Sequence, residues 1–357
     1  MKAARKLPML LAASFATALS LTFFTSAASA ESLKFLSWQD YIDPELVEKF
    51  EEQAGIDIVT QQYISNEQRD SMITESRGEG LDIILLNGLV LEKFVRKGWL
   101  AALPDGYTGE LSMIDKQWWQ AYQAAEWYAV PYFWGTLGIV YRSDLVDRPI
   151  NSWGQLLQPS SSLRGKVSVL DSYRETLGMA LKAKKYSLNT RRSAEMDDAL
   201  GLLENHFADY QSHPPMDSLT TSKLISGNLH AAMMYSGSAL TLQRLDTRIK
   251  YVVPKEGGSI WVDYLVVSAK SKNKQAAWDF IKFLNEPENA TQLAYYLYYA
   301  TTNNGAKAML DDRFLSNKTI YPEKQALAKS EILRPMLSRH KRDLESRFND
   351  IKAPAAN

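Results

Sequence analysis

Two short apolar runs, Leu33–Trp38 and Ile56–Val59, flank an amphipathic stretch whose two ends are both marked. Asp43 supplies a capping side chain directly before Pro44, which suits the first helical position, and Gly55 closes the turn that follows Ala54. This punctuation predicts a strand, a helix over 44–54 and a second strand. The pattern then repeats. Ser65-Asn66-Glu67-Gln68 has capping-box spacing and opens a helix to about Arg77. Leu81–Leu86 reads as a buried parallel strand, and Leu91–Lys97 as a helix stopped by Gly98. A chain that alternates in this way has few options beyond an α/β layered fold.

Further along, Pro131–Tyr141 is apolar, with two glycines and β-branched residues, and reads as a long strand able to cross between domains. Strands are expected at Lys166–Leu170, His230–Tyr235, Lys250–Val253 and Tyr264–Val267. Helices are expected after Ser152 and at Tyr173–Leu181, Asp197–Asn205, Leu219–Ser226 and Lys274–Leu284, and the charged stretch from Tyr321 onward also reads as helical. No internal repeat and no low-complexity linker is present. The chain is longer than roughly 300 residues even without its first thirty, so two cores are expected rather than one.

Those first thirty residues have the form of a secretory leader. Lys2, Arg5 and Lys6 precede a mostly apolar run from Leu7 to Phe24, and Ala28-Ser29-Ala30 is a small-residue cleavage site. The expected mature chain starts at Glu31. Pro8, Ser14, Thr17, Ser20 and Thr22 dilute the run, which argues against an uncleaved membrane anchor. The sequence contains no cysteine, which excludes disulfides, thiolate metal sites, cysteine nucleophiles and a lipid-modified N-terminal cysteine. The expectation is a protein free in a bacterial periplasm. Loss of the leader removes three basic groups and no acidic ones, leaving three more acidic than basic residues. Nucleic acid is therefore not an expected partner.

Catalytic signatures are missing. There is no HExxH, GxSxG, GxGxxG after a strand, or P-loop. His206, His213, His230 and His340 are scattered and not paired at ligand spacing, so neither a metal nor another cofactor is expected. A carboxylate pair that meets only in space stays open, and with it a secreted hydrolase as a remote alternative.

The chemistry that is present is aromatic and anionic. Pro254–Asp263 runs through a Gly257-Gly258 turn into Trp261 and Asp263. If the segment is extended, these two side chains share a face. An indole beside a carboxylate suits an alkylammonium, since the ring covers its methylenes and the anion neutralises it. Taken locally, a core Trp261 and a capping Asp263 explain the motif better, and only the rest of the chain shifts that balance. Ser37-Trp38-Gln39-Asp40-Tyr41 repeats the composition at the end of the first strand. Leu86-Asn87-Gly88 and Asp171-Ser172-Tyr173-Arg174-Glu175 also sit at strand ends, where open α/β sheets collect ligands. Core packing for Trp38 and N-capping for Asp40 and Asp171 are the structural alternatives.

In order along the chain, Trp38-Gln39-Asp40-Tyr41, Gly55-Ile56, Ser65-Asn66-Glu67, Val130–Gly135, Ser152-Trp153, Arg174-Glu175, Gly237-Ser238-Ala239, Pro254–Gly258, Trp261-Val262-Asp263, Lys272-Asn273-Lys274 and Ile320-Tyr321-Pro322 form a specific series. It resembles the periplasmic polyamine-binding proteins of ABC importers, the spermidine- and putrescine-binding family, from about Leu33 to about Lys352. The resemblance implies an α/β, two-lobed periplasmic binding protein fold of the type II kind, with a ligand cleft between discontinuous lobes. Lobe one would be 31–137 with 264–308, and lobe two 138–263 with 309–357.

By the same resemblance, Trp38, Tyr41, Tyr235, Trp261 and Tyr299 match positions that box the methylene chain. Asp40, Glu175 and Asp263 match carboxylates that take amino groups, and Asn87 matches a small polar pocket position. The implied partners are a small cationic polyamine and an inner-membrane ABC permease, served by a monomer without enzymatic activity. The alternative is a polyamine sensor that docks on a membrane signalling receptor. Four positions depart from the family pattern: Ser172 stands for an acid, Leu89 for a tyrosine, Leu333 for a glutamine and Ser238 for a putrescine-type acid. They leave the identity of the amine open.

Overall fold

The computed structural model describes residues 32–214, 218–336 and 338–352, so the expected leader lies outside the described residues. β1 (Ser32–Trp38) leads through the helix Pro44–Ala54 into β2 (Asp57–Tyr63), and the two strands pair in parallel. Asp43 caps that helix by accepting from the Glu45 amide at 3.0 Å, and Gly55 ends it at φ 67°. The helix Asn66–Ser76 follows, with Ser65 Oγ accepting from the Gln68 amide. β3 (Ile83–Asn87) then pairs with β1 on its other side.

β4 (Val130–Arg142) is buried along its whole length. Its apolar residues divide between two cores near Gly135-Thr136. Val130 and Tyr132–Trp134 pack with β1, β3 and the helix Lys274–Leu284. Leu137, Ile139 and Tyr141 pack instead with β5 (Val167–Leu170), the helix Tyr173–Ala183 and the helix Ser193–His206. β6 (Tyr210–His213) and β7 (Ala231–Tyr235) complete that side of the sheet, and β8 (Ile249–Val252) pairs with the end of β4. A smaller cluster, with Val140, Leu224, Leu229 and Leu242, seals the back of β7.

β9 (Ser259–Val267) makes the return crossing. It pairs antiparallel with β4 from Leu137 to Val130 and antiparallel with β3 from Asn87 to Ile83. The resulting strand order is β2-β1-β3-β9-β4-β7-β5-β6. The helix Pro287–Leu297 leads to β10 (Ala300–Thr301), which adds to β4 beside Phe133 and Trp134.

The stretch after Tyr321 is not one helix. A short helix at Lys324–Leu327 gives way to β11 (Glu331–Ile332), parallel to the start of β9, before the helix Ser338–Lys352. The Glu331 amide donates to the Gly258 carbonyl at 3.0 Å, so an available strand edge outweighs the local helical preference.

Candidate functional site

The first half of β9 carries the feature that the sequence singled out. Within a strand, alternation places Trp261 and Asp263 on the same face. Trp261 stands opposite Gly135 of β4, and the absence of a side chain there is required: a Cβ on Gly135 would lie 2.4 Å from the indole. Asp263 stands opposite Asn87 of β3.

The turn after β1 brings in the next member. Asp40 adopts φ 55° and reverses the chain, so that Tyr41 points inward. The Tyr41 hydroxyl donates to Asp263 Oδ2 at 2.8 Å. Tyr299, just before β10, lies between the two other rings. Its centroid is 5.2 Å from that of Trp261, edge to face, and 5.4 Å from that of Tyr41. Gly237, near the start of the helix Ser236–Leu245, lets Tyr299 lie against the backbone from the other side.

Asp263 is 9% exposed and forms no ion pair among the described residues. Burial pushes its carboxyl up to about 6, against the opposing pull of the Tyr41 hydroxyl and the charge of Arg69. Arg69 is itself buried, yet its guanidinium is spent elsewhere. It donates to Asp70 Oδ1 at 2.7 and 3.1 Å and to Asn66 Oδ1 at 2.7 Å, and it lies 5.6 Å from the Tyr63 ring centre. Asp263 is thus a buried anion with a hydroxyl donor and aromatic neighbours but no cation in contact.

A second carboxylate is set on the other core. Glu175 lies in the first turn of the helix Tyr173–Ala183. The Tyr235 hydroxyl donates to Glu175 Oε1 at 3.1 Å, and Ser172 Oγ donates to Oε2. Burial raises the Tyr235 hydroxyl well above its ordinary range, and the charges of Glu175, Asp263 and Glu67 add to this. Three carboxylates from separate elements therefore act on one phenol.

The remaining expected residues are placed as follows. Trp38 is half-buried and packs on Tyr63 with centroids 4.4 Å apart. Asn87 accepts from the Leu89 amide at 3.1 Å, which caps the helix Gly88–Arg96, and donates to Asn66 at 3.1 Å. Asp40 stays apart: it is exposed and has no hydrogen bond or ion pair among the described residues. It caps no helix, since Asp43 does that. Asp171 is exposed and pairs with Lys352. Leu89 packs against both cores, and Leu333 is buried in the second.

Sequence reasoning did not single out Tyr63, Glu67 or Arg69 as site residues. The only signal for Arg69 was a lone arginine in a helix without an apolar face, which carries no information on burial. No group of metal-ligating side chains occurs among the described residues, and no described helix is long and apolar enough to cross a membrane. Two open concavities, of about 450 and 290 Å³, lie away from this aromatic and acidic group.

Among proteins of known role, the chain is 29% identical to the spermidine/putrescine-binding periplasmic protein of Escherichia coli (strain K12), over 86% of this chain and 88% of that one. It is 30% identical to the norspermidine sensor of Vibrio cholerae, over 85% and 84%. Among solved structures it matches the substrate-binding protein of a spermidine/putrescine ABC transporter from Streptococcus pneumoniae with a TM-score of 0.82 and 28% identity. That match covers 90% of this chain and 98% of the other. The α/β architecture is therefore that of the two-lobed solute-binding proteins. The model of the bacterial extracellular solute-binding proteins matches residues 45–322, and the chain belongs to that family.

Proposed function

We propose that this protein binds a small polyamine of the putrescine or spermidine type between its lobes and delivers it in the periplasm to an inner-membrane ABC permease. One observation carries the reading: Asp263 is a buried carboxylate without a cation of its own, held by Tyr41 and walled by Trp261 and Tyr299. An alkylammonium supplies the missing charge, and its methylenes cover the rings. Each charge-assisted contact stabilises by roughly 1.5–3 kcal/mol, and a cation over a desolvated ring adds roughly 2 kcal/mol. Glu175, with Tyr235 and Ser172 on its oxygens, is the acceptor for a second amino group.

In this proposal residues 31–137 and 264–308 form one lobe and 138–263 and 309–357 the other. Leu310, Phe314 and Ile320, from the second set, pack on the core of the first and tie the two together. The protein acts as a monomer, is released by cleavage after a leader of thirty residues, carries no lipid and performs no catalysis. Trp38 and Asn87 line the cleft, and Asp40 lies at its rim.

Calorimetry with putrescine, cadaverine, spermidine, norspermidine and spermine tests the binding. At least one amine is expected to bind, and Asp263→Ala and Trp261→Ala each weaken it about tenfold or more. Absence of heat with all five overturns the reading. The likeness to a norspermidine sensor favours a second output for the same site, docking of the amine-bound form on a membrane receptor. Recovery of a membrane signalling protein instead of a permease, by crosslinking in cells supplied with the amine, would select it.

A further inference from the structure

Four lysines and one glutamate line the concavity of about 450 Å³: Lys182, Lys185, Lys255, Glu256 and Lys329. They come from three separate parts of the chain. Lys182 and Lys185 flank the end of the helix Tyr173–Ala183, Lys255 lies in the turn before β9, and Lys329 precedes β11.

The arrangement is built rather than incidental to a charged surface. Gly257, at φ 82°, holds the turn directly on the neighbouring backbone, where a Cβ would lie 2.2 Å from the Lys329 carbonyl oxygen. Lys329 Nζ donates to the Lys255 carbonyl at 3.1 Å, and the Lys255 amide donates to the Asn151 carbonyl at 3.0 Å. Lys255 and Lys329 are thereby kept side by side. Lys182 is buried and fixed by Glu331 at 2.8 Å.

Charge in the concavity does not balance. Glu331 is filled by Lys182, by Ser187 Oγ at 2.5 Å and by the Leu188 amide. Glu256 accepts from Ser152 Oγ at 2.6 Å and the Trp153 amide at 3.3 Å. Lys185, Lys255 and Lys329 form no ion pair among the described residues. All three residues line a concavity within the size range of small-molecule sites, roughly 300–1,000 Å³. The negative end of the nearby helix favours cations there, but Lys184, the other lysine at that end, is already paired with Asp198 at 2.8 Å.

We infer that this concavity binds a small anion carrying at least two phosphate groups, at a site separate from the amine cleft. Lysine presents a point charge to phosphate without demanding a planar fork, and three ammoniums on different elements match an anion of more than one group. A soluble polyphosphate and the phosphates of a lipid headgroup share this chemistry.

Titration of the full-length mature protein with pyrophosphate at moderate ionic strength, followed by calorimetry, is expected to show saturable binding. Lys255→Glu with Lys329→Glu should weaken it about tenfold per reversed charge. Both side chains are exposed, so the far-UV spectrum and thermal midpoint should be retained; the milder pair Lys255→Gln and Lys329→Gln should give the same direction. Absence of pyrophosphate binding, or binding unaltered in both double variants, overturns the site. Cosedimentation with phosphatidylglycerol vesicles, lost in the same variants, would identify a lipid phosphate as the source. Binding of pyrophosphate alone would identify a soluble one.

Discussion

At the scale of single residues, Asp263 decides most of the behaviour. Unfolded, its carboxyl titrates near 3.8; folded, burial moves it to about 6. Below 3.8 it is neutral in both states and costs nothing. Between the two values the folded chain keeps a proton that the unfolded chain has lost, so the cost of burying the ionised group grows and is complete above about 6. A shift of this size amounts to about 3 kcal/mol of stability lost between pH 4 and pH 7. Urea unfolding of the ligand-free protein should show that loss in the wild type, and Asp263→Asn should remove it from the pH profile. An identical profile in the variant would exclude Asp263 as its source. A bound ammonium favours the ionised form, so amine affinity should fall as pH drops below about 6, and binding near that pH should release a proton, measurable by calorimetry in buffers of differing ionisation enthalpy. The pairing of Trp261 with Asp263 was legible because strand alternation is a local rule. The role of Arg69 was not: its partners Asn66 and Asp70 are near in sequence, but its burial depends on how its helix lies over the strands.

At the scale of elements, legibility followed the strength of local punctuation. The helix Pro44–Ala54 has its sequence-derived ends because Asp43, Pro44 and Gly55 each act through their own backbone neighbours. Asp43→Ala removes the bond from the Glu45 amide at 3.0 Å and the bond from Gln292 at 2.9 Å. It should lower stability by about 1 kcal/mol, and chemical denaturation should show a lower midpoint at an unchanged slope. Retained stability would mean that water replaces the cap. The C-terminal stretch shows the opposite case. Lys324 to Lys352 is rich in helix formers, yet Glu331-Ile332 is drawn out as a strand by the edge of β9, and Glu331 is fixed further by Lys182 and Ser187. Nothing within that segment announces an edge that lies some seventy residues earlier. The same long-range logic assembles the candidate site, whose rings come from the turn after β1, from β9 and from the segment before β10.

At the scale of the whole molecule, two cores share β4, and the proposed amine cleft lies beside the stretch where β4 pairs with the first half of β9. In the proposed division into lobes, Gly237 and Tyr299 meet across the cleft, and the approach is close. A Cβ there would come within 2.0 Å of the Tyr299 ring. Because Gly237 lies in the first turn of a helix, alanine should favour that helix by up to about 1 kcal/mol, so the helix is not expected to suffer. The ring has to move instead, and with it the wall that it forms beside Trp261 and Tyr41. Gly237→Ala is therefore expected to weaken amine binding about tenfold or more while leaving the thermal midpoint of the ligand-free protein within a few degrees. The double variant Gly237→Ala with Tyr299→Ala isolates the cause. With the ring removed the added methyl has nothing to displace, so the second substitution should cost far less than it does alone, and the coupling energy between the two positions should be large. If the two losses simply add, the methyl acts somewhere other than on Tyr299; if Tyr299→Ala alone leaves binding unchanged, the ring is not a wall of the cleft.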